Sequence, residues 1–168
     1  QTVHEMRRQC GKNGHIHFYS HAPLEDIEAD NHQVNAAYDA TSGDFVFKVL
    51  MKSFEFEKAL MQEHFNENYV HSDKYPNATF RGKVLDHATV DVNSEGRYDV
   101  VVEGELTIHG QTNEVKEKGA FTVQGDMITG EAKFEILLKD YKIKIPGAVV
   151  DNISENIEIT VQMDMKKL

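Results

Sequence analysis

The chain has 168 residues, which is typical of one domain, with 40% hydrophobic and 27% charged residues as in ordinary globular proteins. Its formal net charge of −10 argues against nucleic acid as a partner and against anionic membrane surfaces, because both would repel it. No apolar run approaches the ~20 residues that cross a bilayer, and the single cysteine excludes an internal disulfide framework.

Residues 1–13 form a polar segment without the period of a strand or a helix. We expect this segment to lie outside the folded domain, either disordered or not native, with Cys10 as an unpaired thiol. The chain does not begin with Met, which is compatible with a removed signal peptide. Residues 14–168 are then expected to form a single β-barrel domain.

Alternating apolar and polar side chains predict a strand over residues 14–21. The acidic segment 23–29 that follows is interpreted as a bend or a single helical turn. Residues 31–52 then predict a hairpin, because two alternating runs flank a turn-forming sequence at residues 40–44.

Residues 53–82 differ from the rest, because aromatic residues are mixed there with Glu, Asn and Asp. Within this stretch Leu60, Met61, His64 and Phe65 recur at helical spacing, which predicts a short helix that ends at Asn66. A polar, irregular loop is expected from there to the strand that starts at residue 77.

Five further strands are predicted, over residues 77–86, 98–110, 114–123, 127–138 and 154–166. About eight strands at short, regular spacing with little helix indicate an all-β sandwich or barrel. One face of these strands carries small residues among large apolar ones, namely Gly82, Gly104, Gly119, Gly130 and Ala132. Such residues either permit bends and bulges or leave space for a ligand, and both interpretations stay open. A ligand there would be apolar, because we find no polar residues alternating on that face.

Few residues suggest reaction chemistry. His15, His17 and His21 share one strand face and could hold a metal, although ordinary surface histidines are the favoured explanation. His109 precedes Gly110 at a turn, which predicts a structural hydrogen bond. The motifs of serine hydrolases, zinc proteases, phosphate loops and thiol redox proteins are absent from the sequence, so we expect no enzyme and no cofactor.

Three ordered motifs carry a resemblance to a known family. They are EHFNENY at 63–69 with DKYP at 73–76 and ATF at 78–80, then GELTIHGQT at 104–112, then Phe134 with KDYKI at 139–143. Together they resemble the YceI-like family over residues 14–165. This resemblance implies an elongated, antiparallel, eight-stranded lipocalin-like barrel with one or two short helices. It also implies a hydrophobic tunnel for a polyisoprenoid, a quinone tail or a similar lipid, and a periplasmic or secreted location.

A tunnel for such a lipid needs aromatic and branched residues along its wall and a few polar residues at its mouth. The residues expected along the wall are Phe18, Phe45, Phe47, Phe54, Phe56, Leu60, Phe65, Phe80, Phe121 and Phe134. Those expected at the mouth are His64, Asn68 and Tyr75. The alternative is a stress-response or interaction module whose barrel is filled by side chains, and a metal-assisted enzyme ranks third. Homodimer formation is compatible with the sequence.

Overall fold

The computed structural model describes residues 8–167, which form one antiparallel β-sheet closed into a barrel. The strands are β1 (Arg8–Gly11), β2 (His15–His21), β3 (Asp26–Asn31), β4 (Val34–Asp39), β5 (Asp44–Leu50), β6 (Glu55–Phe56), β7 (Asn77–Val84), β8 (Gly96–Ile108), β9 (Gln111–Gln124), β10 (Met127–Leu137) and β11 (Asn156–Lys167).

Eight strands form the ring, in the order β1, β4, β5, β7, β8, β9, β10 and β11, and β1 pairs with both β4 and β11 to close it. The strands β2, β3 and β6 extend the sheet from β11 at the other end of the barrel. The predicted eight-stranded antiparallel barrel is therefore confirmed, with a three-stranded extension that the sequence did not indicate.

Strand alternation decides which side chains form the core. In β11, Ile157, Met163 and Met165 are buried, whereas Gln162 and Asp164, on either side of Met163, are exposed. The facing residues of β10 follow the same rule, because paired residues in an antiparallel sheet point to the same side. The barrel thus has an apolar interior and a charged exterior.

The barrel begins earlier than the sequence predicted. Arg8–Gly11, assigned above to a segment outside the domain, forms β1, and Gln9 is opposite Tyr38 on one side and Lys167 on the other. Four polar residues are too few to show a period, so only their main-chain pairing reveals the strand. Cys10 is a half-buried free thiol in this strand. Residues 1–7 lie outside the described residues.

A second correction concerns residues 23–29, which were interpreted as a bend or a helical turn. Asp26–Asn31 forms β3, in which Ile27, Ala29 and Asn31 are buried. Its acidic residues face outward, where Asp26 contacts His21 and Asp30 contacts His15. Pairing with β2 therefore overrides the low strand propensity of this acidic segment.

Helix α1 spans Ala59–His64 and confirms the predicted helix, although the helical path continues through a π-helical turn at Phe65–Tyr69. The predicted end at Asn66 was therefore too early. Short 3₁₀ turns occupy Met51–Ser53, His87–Thr89, Leu138–Tyr141 and Gly147–Val149. None of the helices in the described part of the chain is long and apolar enough to span a membrane.

Tyr38 lies at the end of the barrel that β1 closes, and its side chain is only 1% exposed. Its ring packs against Phe121 with centroids 5.0 Å apart, while its hydroxyl has no hydrogen-bond partner among the described residues. Burial, with smaller contributions from Asp86 and Asp39, raises the pKa of Tyr38 to about 12.

We expect Tyr38→Phe to raise the free energy of unfolding by about 1 kcal/mol, because it removes a buried hydroxyl that lacks a partner. Above pH ~10 the unfolded tyrosine ionises before the folded one, so stability of the parent protein should fall from there up to pH ~12. Tyr38→Phe should lack the part of this loss of stability that the ionisation of Tyr38 causes. Urea denaturation at neutral pH and along an alkaline series measures both effects.

Tyr98→Phe is the matched control, because the Tyr98 hydroxyl donates a hydrogen bond to the Ser94 carbonyl at 3.0 Å. It should gain no stability. A Tyr38→Phe variant that is less stable than the parent protein would show that the hydroxyl has a partner after all.

Candidate ligand-binding cavity

An apolar cavity of about 240 Å³ lies inside the barrel. It exceeds the roughly 150 Å³ of an engineered apolar cavity that takes up benzene, so it is more than a packing defect. Its wall runs along β8 from Val100 to Ile108, which is roughly 26 Å of strand at about 3.3 Å per residue. The barrel is therefore not filled by its own side chains, and the space inside is elongated.

One end of the cavity is closed by packed aromatic rings. Phe45 lies 6.2 Å from Phe80 and 6.4 Å from Phe121, measured between ring centroids. Phe121 in turn contacts Tyr38, which lies beyond the cavity wall. This end is thus sealed where β1 completes the ring.

The other end is covered by a group of four aromatic residues, Phe18, Phe54, Phe56 and Phe65, which we call the aromatic cap. Phe18 contacts the other three rings at centroid distances of 5.2 to 5.7 Å. Phe65 lies 5.0 Å from Phe56 and 5.5 Å from Phe54. The cap joins the β2–β3–β6 extension to the helical segment and covers this end of the cavity.

Most of the residues predicted for the wall do reach the cavity. Its lining includes Phe18, Phe45, Phe47, Phe54, Phe65, Phe80, Phe121 and Phe134. Phe56 packs behind Phe18 and Phe65 without lining the cavity, and Leu60 is 62% exposed on the outer surface.

The exposure of Leu60 follows from the phase of the helix. Met61, Phe65 and Tyr69 line the cavity, at spacings of four residues, whereas Leu60 and His64 lie outside the lining. Helical spacing relates Leu60 to His64 and also Met61 to Phe65. The sequence alone therefore did not determine which pair faces the cavity. The main-chain N–H of Phe56 donates to the Gln62 side chain at 3.1 Å, which ties the helix to the sheet extension in this orientation.

The three residues predicted for the mouth do not line the cavity. His64 is half-buried and Asn68 is exposed on the helical segment. Tyr75 packs edge-on against His109 at 5.1 Å, and His109 lies 2.9 Å from the Tyr141 carbonyl through its Nδ1 atom. The structural hydrogen bond predicted for His109 is thus present, and Tyr75 supports that turn.

The small inward-facing residues differ in what a larger side chain would meet. Gly119, Gly130 and Ala132 line the cavity. Gly82 and Gly104 are opposite one another in β7 and β8, and a Cβ on either, or on Gly119, would overlap main-chain atoms of the neighbouring strand. A Cβ on Gly130 would lie 3.2 Å from the Phe121 ring. The glycines therefore allow close contact within the wall, and two of them also line the cavity.

Glu117 is the functional candidate that the sequence analysis missed. It is opposite Val102 across the β8–β9 ladder, so its side chain shares the inward face and it lines the cavity. Partial burial raises the pKa of Glu117 above its ordinary value. The expectation that the inward face carries no polar residues was wrong, although strand alternation from Val115 through residue 117 to Gly119 would have identified this one.

The N-terminal histidines lie on the outer face of the sheet extension. His15 and His17 share Asp30 at 2.7 and 3.0 Å, and His21 contacts Asp26 at 2.6 Å. Burial acts to raise the pKa of Asp30, but the hydrogen bonds to the two histidines outweigh it and hold the pKa below its ordinary value. In residues 8–167 no group of three or more His, Cys, Asp or Glu side chains could hold a metal ion.

Residues 11–165 match the YceI-like domain, which is over half of the chain. No curated protein matches the chain by sequence.

Solved structures share the fold at low sequence identity. A polyisoprenoid binding domain from Saccharophagus degradans, implicated in plant cell wall breakdown, is 13% identical over 97% of this chain and 99% of its own, with a TM-score of 0.83. BcnA of Burkholderia cenocepacia is 13% identical over the same shares, with a TM-score of 0.72. The YCEI protein of Campylobacter jejuni is 16% identical over 88% of this chain and 89% of its own, with a TM-score of 0.67.

The orientation of the helix can be tested by a pair of substitutions. Phe65→Ala should lower the free energy of unfolding by about 3–5 kcal/mol, because Phe65 is 9% exposed in the aromatic cap. Leu60→Ala, at a position 62% exposed, should change it by no more than about 0.5 kcal/mol. Urea denaturation compares the two variants, and a larger loss for Leu60→Ala than for Phe65→Ala would show that the helix faces the cavity in the other phase.

Proposed function

This chain belongs to the family of YceI-like domains, and on that basis we propose that it binds a long apolar lipid of the polyisoprenoid or isoprenoid-quinone type inside its barrel. The observation that carries the proposal is the elongated cavity of about 240 Å³, with a wall formed mostly by aromatic and branched apolar side chains.

The physical reason is the cost of keeping a hydrocarbon chain in water. Each CH₂ group that moves from water into an apolar environment contributes about 0.8 kcal/mol, so affinity accumulates along the chain without polar contacts at each step. The cavity removes the ligand from water along its length, whereas a filled barrel would offer no such space. The polyisoprenoid binding described for the Saccharophagus degradans domain, which shares this fold, supports the same ligand class here.

Enclosure of the ligand suits transport or storage better than chemistry on it. A protein with a net charge of −10 stays dispersed in water while its interior holds the lipid. We therefore propose a carrier that acts in the bacterial periplasm or as a secreted protein, without catalysis and without a cofactor. The inward-facing residues Phe18, Phe47, Phe80 and Phe134 would contact the hydrocarbon chain.

A variant that fills the cavity tests the proposal. Ala132 lines the cavity beside Gly119, so Ala132→Phe would place a ring in the space that the lipid needs. Native mass spectrometry and organic extraction of the purified protein should find a bound hydrophobic compound in the parent protein and little of it in the variant.

Leu60→Phe is the matched control, since it adds a ring at a position on the outer surface. It should retain the lipid. A parent protein that neither carries nor takes up any long-chain compound would contradict the proposal, as would an Ala132→Phe variant that binds as much lipid as the parent protein.

A further inference from the structure

The barrel wall divides between β9 and β10. The two strands pair from Gln124 and Met127 at their shared turn as far as Gly119 and Ala132, and the pairing stops there. On the other sides of these strands, β8 remains paired with β9 to Gln111, and β10 remains paired with β11 to Leu137. The half of the β9–β10 hairpin next to its turn is thus paired, and in the half farther from the turn the two strands are not paired with each other.

The separation leaves apolar side chains partly accessible. Val115 on β9 and Phe134 and Ile136 on β10 line the cavity, yet each is only half-buried. The far end of the gap is closed by the turn at residues 138–141, where the Asn113 side chain donates a hydrogen bond to the Asp140 carbonyl at 2.7 Å. The result is a bounded opening in the side of the barrel, which we call the side opening.

Glu117 lies at the border of the side opening, two residues from the last paired position of β9. Of the cavity-lining residues described, it is the only one whose charged side chain is on the inward face of its strand. Its carboxylate forms no hydrogen bond or ion pair with the residues of the described range. The neighbouring Lys116 faces outward, 3.9 Å from Glu103.

The surroundings of Glu117 give its carboxylate little compensation. The buried Tyr141 is near enough that Glu117 contributes to its raised pKa, after burial as the main cause. The wall on either side consists of Val115 and Gly119. A carboxylate is an acceptor only, so it needs a donor, and one that stands half-buried in an apolar wall is best stabilised by a donor that brings positive charge.

We infer that Glu117 binds the polar end of the ligand at the side opening, and that this end is a cationic hydrogen-bond donor, as in a long-chain amine. The inference rests on the proposed function for the hydrocarbon chain that fills the cavity. It narrows the head group, because a quinone has only acceptor oxygens and cannot donate to Glu117, whereas an isoprenoid or other long-chain amine can. The chain would extend from the side opening towards Phe121, while the ammonium group stays at the border with water.

The same geometry selects against fatty acids. A second carboxylate beside Glu117 would bring two like charges into a partly desolvated site, whereas an ammonium group would form a charge-assisted pair. A neutral alcohol can donate one hydrogen bond without charge and should fall between the two. Head-group selectivity therefore depends on one side chain, and hydrocarbon affinity depends on the rest of the wall.

Three probes of equal chain length test the inference: dodecylamine, dodecanol and dodecanoic acid. Their affinities are measured at physiological salt by displacement of an apolar fluorophore from the cavity. The parent protein should bind the amine more tightly than the alcohol and the alcohol more tightly than the acid, with about tenfold or more between amine and acid. Glu117→Gln should remove most of that difference.

Glu114→Gln is the matched control, because Glu114 is an exposed residue of the same strand and its replacement changes the net charge equally. It should keep the order of the parent protein. Glu117→Leu should bind dodecanol at least as well as the parent protein, which shows that the cavity remains intact.

The outcomes separate the two claims. If none of the three probes binds, the proposed function fails and the assignment of the head group fails with it. If all three bind with similar affinity, or if Glu114→Gln abolishes the preference as Glu117→Gln does, lipid binding stands and the role of Glu117 is overturned.

Discussion

The cavity depends on how the ring of strands is closed. At one end the short strand β1 pairs with β4 and with the last residues of β11, and there the interior is packed with rings. Beyond Gly11 the chain leaves this position, and β2 pairs instead with residues 158–162 of β11 and leads the sheet outward through β3 and β6. The main-chain N–H of Gly14 donates to the Val34 carbonyl at 3.0 Å, which links the start of β2 to β4. The barrel therefore runs from an end packed with rings to an end that the aromatic cap covers.

An apolar space inside a protein lowers stability unless something fills it, because the lining loses the contacts that close packing would give. A ligand that binds only the folded state returns that stability by mass action. The wall around this space is itself closely packed, since Gly82, Gly104 and Gly119 allow close contact between strands, and Gly119 and Gly130 also line the cavity. Glu117 adds a polar group where the wall opens, so the barrel has a long apolar compartment with one charged position at its border.

The sequence predicted seven of the eight ring strands, because their alternation is regular, as in β8 and β10, and the eighth strand it predicted is β2 of the extension. It could not predict β1 or β3, since a four-residue strand shows no period and the acidic β3 is stabilised by its pairing with β2. Eight of the aromatic residues expected along the wall line the cavity, and for the six of them in strands the alternation of side chains determines the inward face. Leu60 and His64 do not line the cavity, because helical spacing alone does not determine which side of the helix faces inward. That side becomes known only from a contact such as the hydrogen bond between Phe56 and Gln62.

The most direct test of this account is nuclear magnetic resonance of the protein with labelled methyl groups and a bound long-chain alcohol. If the hydrocarbon chain occupies the barrel, intermolecular Overhauser effects should connect it to the methyl groups of Val102, Ile157 and Ile159, which line the cavity. Effects confined to Leu24 and Leu60, which are 71% and 62% exposed on the outside, would show that the chain binds the surface and would contradict the account.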